Sequence, residues 1–353
     1  MSTGSLLTDP GLRPSALETP HREGAGGGAR LRDKYGREIH YLRVSLTDAC
    51  NLRCVYCMPE HMQFRPREEL LTFRELLRLI RRFHGLGFDK FRFTGGEPTL
   101  RPELVRLVAA TSALPGYPLT ALTTNGVTLP RLAGKLKDAG LRRVNISLDT
   151  LDPERFRRMS RRAGLEEVLR GIEAADAAGL EVKINAVAVQ NFNEEDLVPL
   201  ARLSLERAWQ IRFLEMMPFG NNEGFQNGKR LERSGVRARI AEALGELTPV
   251  GEGLDGEAEV FRAPGARGTI GFISPVSDPF CASCNRARLT ADGKLRLCLL
   301  KDDEVDLMSP MRGGASDSEL DQKIRRGIFH KPWGHELAYD RFSRKRGMSE
   351  IGG

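Results

Sequence analysis

The sequence has no apolar run of the ~18 or more residues that a membrane helix needs, so no transmembrane segment is expected. Its start has no apolar stretch of the kind a secretory signal requires. A G-x4-G-K-[ST] segment is also missing, and a P-loop nucleotide site is not indicated. Cysteine is scarce, with six among 353 residues. The six fall into two groups of three with none left over, which in a cytosolic type of chain points to metal ligation and away from disulfides. Hydrophobic residues make up 40% and charged residues 29%, a globular balance at a length that allows one large core or two modest ones. The net charge of +7 favours an anionic partner, either nucleic acid or a phosphorylated small molecule.

Residues 1–30 are rich in Gly, Pro and small polar residues and end near Gly24-Ala25-Gly26-Gly27-Gly28. Such a segment buries too little apolar surface to offset its ordering entropy, so a disordered extension is expected. Asp9, Glu18 and Glu23 interrupt the basic character that an organellar transit peptide would show.

From Tyr41 onward, short β-branched or apolar runs alternate with helical patterns. The expected strands are Leu42–Leu46, Lys90–Thr94, Leu119–Thr124, Arg143–Leu148, Val182–Val189 and Gln210–Met216. Thr72 with Glu75 forms a capping box before Leu76, Leu77 and Ile80. Pro102 and Pro153 fit first helical positions, the second behind an Asp152 cap, and Asn193 fits a further helix start. Gly85, Gly140 and Gly179 fall where helices should stop. Six strand–helix units imply a parallel sheet with right-handed crossovers, whose ligands belong at the C-terminal ends of the strands. Periodicity does not decide between an open sheet and a partial barrel. Residues 220–268 are less regular, with one expected helix near Val236–Leu244, and read as a connection into a C-terminal module.

Chemically suggestive residues do follow the expected strands. Cys50, Cys54 and Cys57, spaced C-x3-C-x2-C, come directly after the first. Three soft sulfurs on one loop suit three irons of a [4Fe–4S] cluster and leave the fourth iron open. Half a zinc ribbon is the alternative, although zinc sites usually pair C-x2-C units. Thr94-Gly95-Gly96-Glu97-Pro98 follows the second strand, where two glycines let backbone approach a ligand closely. Thr123-Thr124-Asn125-Gly126 ends the third strand and Asn145-Ile146-Ser147-Leu148-Asp149 the fourth. Arg43, Arg92, Lys183 and Arg212 lie within strands. Either they point outward by alternation, or they face inward and require an anion such as a phosphate chain. Farther on, Cys281 and Cys284 are followed after thirteen residues by Cys298. Alone this reads as a second cluster or as a zinc ribbon missing a ligand that His330 or His335 could complete.

The cysteine loop, with the Gly-Gly-Glu-Pro turn one strand later, resembles the signature of the radical S-adenosylmethionine (SAM) enzymes. Together with Phe280–Cys298 and the ending Gly347-Met348-Ser349-Glu350-Ile351-Gly352-Gly353, the chain from about Tyr41 resembles the GTP 3′,8-cyclases of molybdenum-cofactor biosynthesis. The resemblance implies an α/β fold, an incomplete (β/α)6 TIM-like barrel with a C-terminal iron–sulfur module. It divides the chain into the 1–30 extension, a 31–220 barrel and a 221–353 region carrying the auxiliary cluster and tail. It also implies two [4Fe–4S] clusters, a SAM-cleaving one on Cys50, Cys54 and Cys57 and an auxiliary one on Cys281, Cys284 and Cys298. Tyr56, Gly96, Ser147 and Met217 match SAM-binding positions. Arg43, Arg92, Thr123, Lys183, Arg286, Ala287 and Arg288 match the positions that contact GTP. Arg43 would carry a catalytic role as proton source, and Gly352 and Gly353 match a tail that enters the active site.

The implied reaction is abstraction of the ribose C3′ hydrogen of GTP by a 5′-deoxyadenosyl radical. The resulting carbon radical closes onto C8 of the guanine. The implied partners are a flavodoxin- or ferredoxin-type electron donor and, for the product, cyclic pyranopterin monophosphate synthase. The implied protein is a cytoplasmic homodimer, with neither nucleic acid nor membrane as partner. Two rivals stay open: a radical SAM enzyme that modifies a peptide or RNA, and a non-catalytic Fe–S or zinc-binding module.

Overall fold

The six expected strands form with ends within one residue of those read from the pattern. The structure is a computed structural model and describes residues 30–218, 230–251, 258–337, 342–343 and 345–352. The expectation for residues 1–29 lies outside the described residues. β1 (Leu31–Arg32) and β2 (Glu38–Ile39) make a small antiparallel pair. The six strands are β3 (Tyr41–Ser45), β4 (Lys90–Thr94), β5 (Leu119–Thr124), β6 (Arg143–Ser147), β7 (Glu181–Ala188) and β8 (Gln210–Glu215).

Six more strands follow: β9 (Thr248–Pro249), β10 (Glu259–Arg262), β11 (Thr269–Ile273), β12 (Arg286–Leu289), β13 (Lys294–Arg296) and β14 (Glu304–Asp306). The main sheet runs β14-β13-β12-β3-β4-β5-β6-β7-β8-β11-β10-β9. Its eight inner strands are parallel, and both edges finish in antiparallel ribbons. The region after Gly220 thus extends the sheet at both edges, β11 against β8 and β12 against β3.

Alternation decides which face does what. Leu42, Val44, Phe91, Phe93, Leu122, Val144, Ile146, Ile184, Ile211 and Phe213 share one face and belong to a single apolar core. Covering them are helices α1 (Phe73–Gly85), α2 (Leu104–Ser112), α3 (Leu129–Asp138), α4 (Pro153–Ser160), α5 (Leu165–Ala177) and α6 (Leu197–Glu206). Each fully buried Leu or Phe in that layer stabilises the fold by roughly 1.5–3 kcal/mol. The residues between them (Arg43, Arg92, Asn145, Lys183 and Arg212) belong to the other face.

The helix starts follow local chemistry. Thr72 and Glu75 make the expected reciprocal capping box. Asp152 accepts from the Arg155 N–H with Pro153 in first position. Pro102, by contrast, stands in the turn before α2. The Arg101 guanidinium is drawn to the carbonyls of Leu46 and Leu71, both at 2.8 Å, which holds Arg101 extended and delays the helix to Leu104. Asn193 does open the helical segment, directly before a 3-10 turn (Glu194–Asp196) that runs into α6, but its side chain does not cap it. Its carboxamide donates to the Asp149 and Val187 carbonyls (2.7 and 2.9 Å) and accepts from the Val189 N–H, and the helix begins at Leu197. The expected helix near Val236–Leu244 spans Arg233–Leu244. Among the described residues no helix is long and apolar enough to cross a membrane.

Candidate active site

The first cysteine loop leaves the C-terminal end of β3 and is pinned from two sides. On one side lies the Gly95-Gly96 turn. The Gly96 and Glu97 amides donate to the Thr47 and Ala49 carbonyls, each at 2.7 Å. A Cβ on Gly96 would stand 2.3 Å from both the Asp48 and Ala49 carbonyl oxygens, and one on Gly95, at φ +151°, 2.4 Å from the Thr47 oxygen. The glycines therefore seat backbone against backbone, and these two amides are spent on the cysteine loop instead of being left for a ligand. Glu97 is buried between the loops. Its carboxylate accepts from the Thr99 N–H (3.0 Å), the Thr99 and Thr124 hydroxyls (2.5 and 2.7 Å) and the Asn125 N–H (2.7 Å). It ties the ends of β4 and β5 together, a role the motif alone did not show. On the other side the loop's Arg53 and Val55 amides donate to Ser160 and Met159 at the end of α4, each at 2.9 Å.

Cys54, Val55 and Cys57 pack with Tyr56, Met159, Val189 and Met216. Burial, reinforced by the Cys50 sulfur, pushes the Cys57 thiol up to about 12. Burial raises Cys54 and Cys50 as well, with neighbouring acidic groups adding to it. Without a cation the triad is neutral thiols in an apolar pocket. Metal coordination deprotonates such thiols outright, and three sulfurs in one apolar pocket are the donor set of an iron–sulfur cluster. Tyr56 donates through its hydroxyl to Asp149 at 2.7 Å, and Asp149 also accepts from the Val187 N–H at 2.8 Å. Burial raises the Asp149 carboxyl to about 6 against those hydrogen bonds. Asp149 thus orients the aromatic ring beside the third cysteine. Its place directly after a strand was the available sequence signal.

The cations converge. Register sets Arg288 of β12 beside Arg43 of β3, and Arg43 beside Arg92 of β4. Thr123, Asn145 and Lys183 lie abreast on β5, β6 and β7, and Ser147 pairs with Asn185 one step along. Arg92, Arg212 and Arg288 are only 2%, 3% and 4% exposed, which excludes the outward-pointing alternative. The Asn145 carboxamide, turned with its oxygen toward the cations, accepts from both Arg92 and Arg212, and Arg212 donates to Asn185 at 2.8 Å. Arg286 lies over the Tyr41 and Phe280 rings. Burial holds Arg288 well below the ordinary arginine range, and the charges of Arg43 and Arg286 push it further down. Nε and one terminal nitrogen of Arg92, with the Thr123 hydroxyl, are buried without a hydrogen-bond partner among the described residues. A face so cationic, with unmet donors, is built for a polyanion.

The second triad borders this face. Cys281 and Cys284 lie in a short turn before β12, Cys298 just after β13, and all three line a cavity of about 90 Å³. Arg286, Ala287, Arg288, Met217, Lys331 and His335 line it too. The Ala287 methyl belongs to the core. Burial works against the Cys284 thiolate, yet Lys331 and Arg286 bring its pKa below the ordinary thiol value. This pocket is electropositive where the first is apolar. His335 does not supply a fourth ligand: Nε2 meets the Pro275 carbonyl at 2.7 Å and Nδ1 the Leu337 amide at 3.4 Å. His330 sits exposed at a helix end with Nδ1 on the Arg326 carbonyl. Among the described residues no three His, Cys, Asp or Glu side chains make a group that could hold a lone metal ion. The donor set fits a cluster, whose irons are separate corners each taking one sulfur.

The tail returns to the same place. Arg346 is gripped by Asp292 (3.0 and 2.8 Å) and Glu304 (2.9 and 2.7 Å). Beyond it the Ser349 backbone N–H favours the Cys57 thiolate against its burial, and Ile351 is buried against Leu300. Arg288 donates to the Gly352 carbonyl at 2.6 Å. Gly352 adopts φ +71°, and a Cβ there would stand 2.7 Å from Thr94 and 3.2 Å from Ser45. Gly353 lies outside the described residues. Met217 packs with Cys298, Leu300 and Ile351 on the side of the second triad, whereas its neighbour Met216 packs with Tyr56.

Comparison with known proteins meets this geometry. A family model described as the Radical SAM superfamily matches residues 44–204, and one described as Molybdenum Cofactor Synthesis C matches residues 209–337. The GTP 3′,8-cyclase of Paracoccus denitrificans (strain Pd 1222) is 46% identical over 318 residues, covering 89% of this chain and 92% of that protein. The GTP 3′,8-cyclase of Heliobacterium modesticaldum (strain ATCC 51547 / Ice1) is 45% identical over 327 residues, covering 91% and 99%. Among solved structures, Streptococcus suis SuiB bound to S-adenosylmethionine aligns with a TM-score of 0.57 at 15% identity, covering 87% of this chain and 76% of that one. That likeness shows the shared fold. With the two family models in tandem and full-length relatives at this identity, the chain belongs to the GTP 3′,8-cyclase family of the radical SAM superfamily.

Proposed function

We propose that this chain converts GTP to (8S)-3′,8-cyclo-7,8-dihydroguanosine 5′-triphosphate in molybdenum-cofactor biosynthesis. The observation that carries the reading is the row Arg288–Arg43–Arg92, set abreast beside the cysteine loop. Three adjacent guanidinium groups on a buried face repel one another. A multiply charged anion relieves that repulsion, and a triphosphate supplies one.

The sheet, helical on one face and cationic on the other, is read as an incomplete (β/α)6 barrel closed by the C-terminal region. Cys50, Cys54 and Cys57 would hold the SAM-cleaving cluster, and Cys281, Cys284 and Cys298 the auxiliary cluster. When bound, the first cluster and SAM supply a 5′-deoxyadenosyl radical that can take a hydrogen atom from C3′ of the ribose. Tyr56, Gly96, Ser147 and Met217 would hold SAM, with Asp149 fixing the Tyr56 ring. Arg43, Arg92, Thr123, Lys183, Arg286, Ala287 and Arg288 would orient GTP. Arg43, at the centre of the row, is the catalytic cation in this reading. Gly352 and Gly353 would close the site, where exclusion of water protects a reactive intermediate. The protein would act as a cytoplasmic homodimer, drawing on a flavodoxin- or ferredoxin-type donor and handing its product to cyclic pyranopterin monophosphate synthase.

Anaerobic incubation of the iron-loaded chain with SAM, a reductant and GTP deuterated at C3′ tests the reading. Deuterium should appear in 5′-deoxyadenosine by mass spectrometry. SAM cleavage without transfer would reject the substrate or the carbon attacked, and no cleavage by iron-loaded protein would reject the enzyme.

A further inference from the structure

Lys331 is 2% exposed and lines the same cavity as Cys281, Cys284 and Cys298. Its ammonium donates to the carbonyl of Leu297, the residue before Cys298. Among the described residues it meets no carboxylate, so a full positive charge is buried against one carbonyl dipole. Such a charge is costly unless an anion shares the site. The segment that carries it is fixed against the triad. Arg37 donates to the carbonyls of Pro332, Trp333 and Cys281, each at 2.6 Å, and is itself paired with Asp33 at 2.6 Å. At Gly334 a Cβ would stand 2.8 Å from the Cys281 sulfur, so the backbone is pressed directly onto the ligand. Lys331 is therefore aimed into the cavity by a clamp that also holds Cys281.

We propose that Lys331 is the counter-cation of the auxiliary cluster, a positioning residue whose charge favours the reduced state of that cluster. The inference rests on the reading that the second triad holds a cluster. An alternative role, a strut that only ties Lys331 to Leu297, makes a different prediction. Lys331→Gln keeps a donor for the Leu297 carbonyl and loses the charge, whereas Lys331→Arg keeps the charge.

The test uses the full chain with Cys50, Cys54 and Cys57 replaced by Ala, so that iron and sulfide load only the second triad. Iron content is measured first, then the midpoint potential by redox titration followed by electron paramagnetic resonance. Lys331→Gln should disfavour the reduced form about tenfold, a fall of ~59 mV for a one-electron couple, while Lys331→Arg stays within about twofold of the parent. A Lys331→Gln protein that titrates with the parent overturns the proposal. So does a Lys331→Arg protein that falls as far as Lys331→Gln, or equal loss of iron from both, which is the signature of a strut. If the parent with Lys331 intact takes up no iron, the cluster reading itself fails, and that outcome is separate from the others.

Discussion

Replacing Gly96 by Ala should unseat the first cysteine loop while leaving the rest of the sheet in place. The new Cβ would stand 2.3 Å from the Asp48 and Ala49 carbonyl oxygens, where ordinary contact begins at 3.4 Å. Both obstacles are backbone, so no side chain can swing away, and the two segments must part by about 1 Å. The Gly96→Thr47 and Glu97→Ala49 hydrogen bonds, now 2.7 Å, would stretch past hydrogen-bonding range. Losing two such bonds between buried backbone segments costs about 1–3 kcal/mol each, so a total of about 2–6 kcal/mol is expected. Urea unfolding of the reduced, iron-free chain measures that loss. The displacement also moves Cys50, which follows Ala49 directly. Iron uptake should fall at the first triad and persist at the second, as read in backgrounds where one triad or the other is Ala. A Gly96→Ala chain within about 0.5 kcal/mol of the parent that loads its first triad fully would refute the argument, since this is the range of an inconsequential surface change.

Arg346→Met should cost about 3 kcal/mol, because it leaves the buried Asp292 without its ion-pair partner while Glu304 keeps Arg296, and should expose the tail to limited proteolysis. Burial raises Asp292, but the hydrogen bonds and charge of Arg346 hold it below its ordinary value of 3.8. Its stabilisation is therefore present above that value and lost as pH falls through the lower native one, and Arg346→Met should flatten this part of the acid unfolding curve. Tyr56→Phe removes a donor from Asp149. That carboxyl titrates near 6 in the fold against 3.8 unfolded, so its contribution to stability already declines as pH rises across that window. The variant should lose about 1–3 kcal/mol at pH about 8 and much less below pH about 4, and a pH-independent loss would contradict the assignment. Replacing Cys281, Cys284 and Cys298 by Ala should spare some SAM cleavage and abolish cyclisation, whereas loss of SAM binding would contradict the division of labour. Deleting Gly352 and Gly353 should lower product with iron content unchanged, and an unimpaired truncation would sink the role given to the tail.

Much of the fold was legible because its strands advertise themselves locally. Tyr41–Ser45 and Lys90–Thr94 place apolar residues at every second position, and Thr72 with Glu75 names a helix start through two side chains that each accept from the other residue's backbone N–H. The departures came where a residue is claimed by a distant partner. Asn193 opens its helical segment without capping it, because Asp149 and Val187 take its carboxamide. Arg101 is held straight by Leu46 and Leu71. The strands β11 and β12, which flank the six expected ones, were missed for a similar reason. Their partners, β8 and β3, are set by sheet topology, which no local period encodes. At the site, cysteine spacing and the strand-borne cations were readable. Glu97, Asp149 and Lys331 were not singled out, because each acts by holding something that only folding brings near.

The two triads sit at opposite electrostatic extremes, and that difference bears on what each can do. The first lies among Tyr56, Met159, Val189 and Met216, where burial disfavours charge on the sulfurs, and it meets the tail through the Ser349 amide. The second lies beside Lys331, Arg286 and Arg37, whose charges lower the Cys284 thiol, while burial raises Cys281. Between them runs the row Arg288–Arg43–Arg92, and Arg288 is the member that also holds the Gly352 carbonyl. A polyanion seated on that row would share Arg288 with the tail's own carbonyl, which takes one of its terminal nitrogens. The cationic face and the tail therefore meet at one buried guanidinium, where a lost partner is not readily replaced by water.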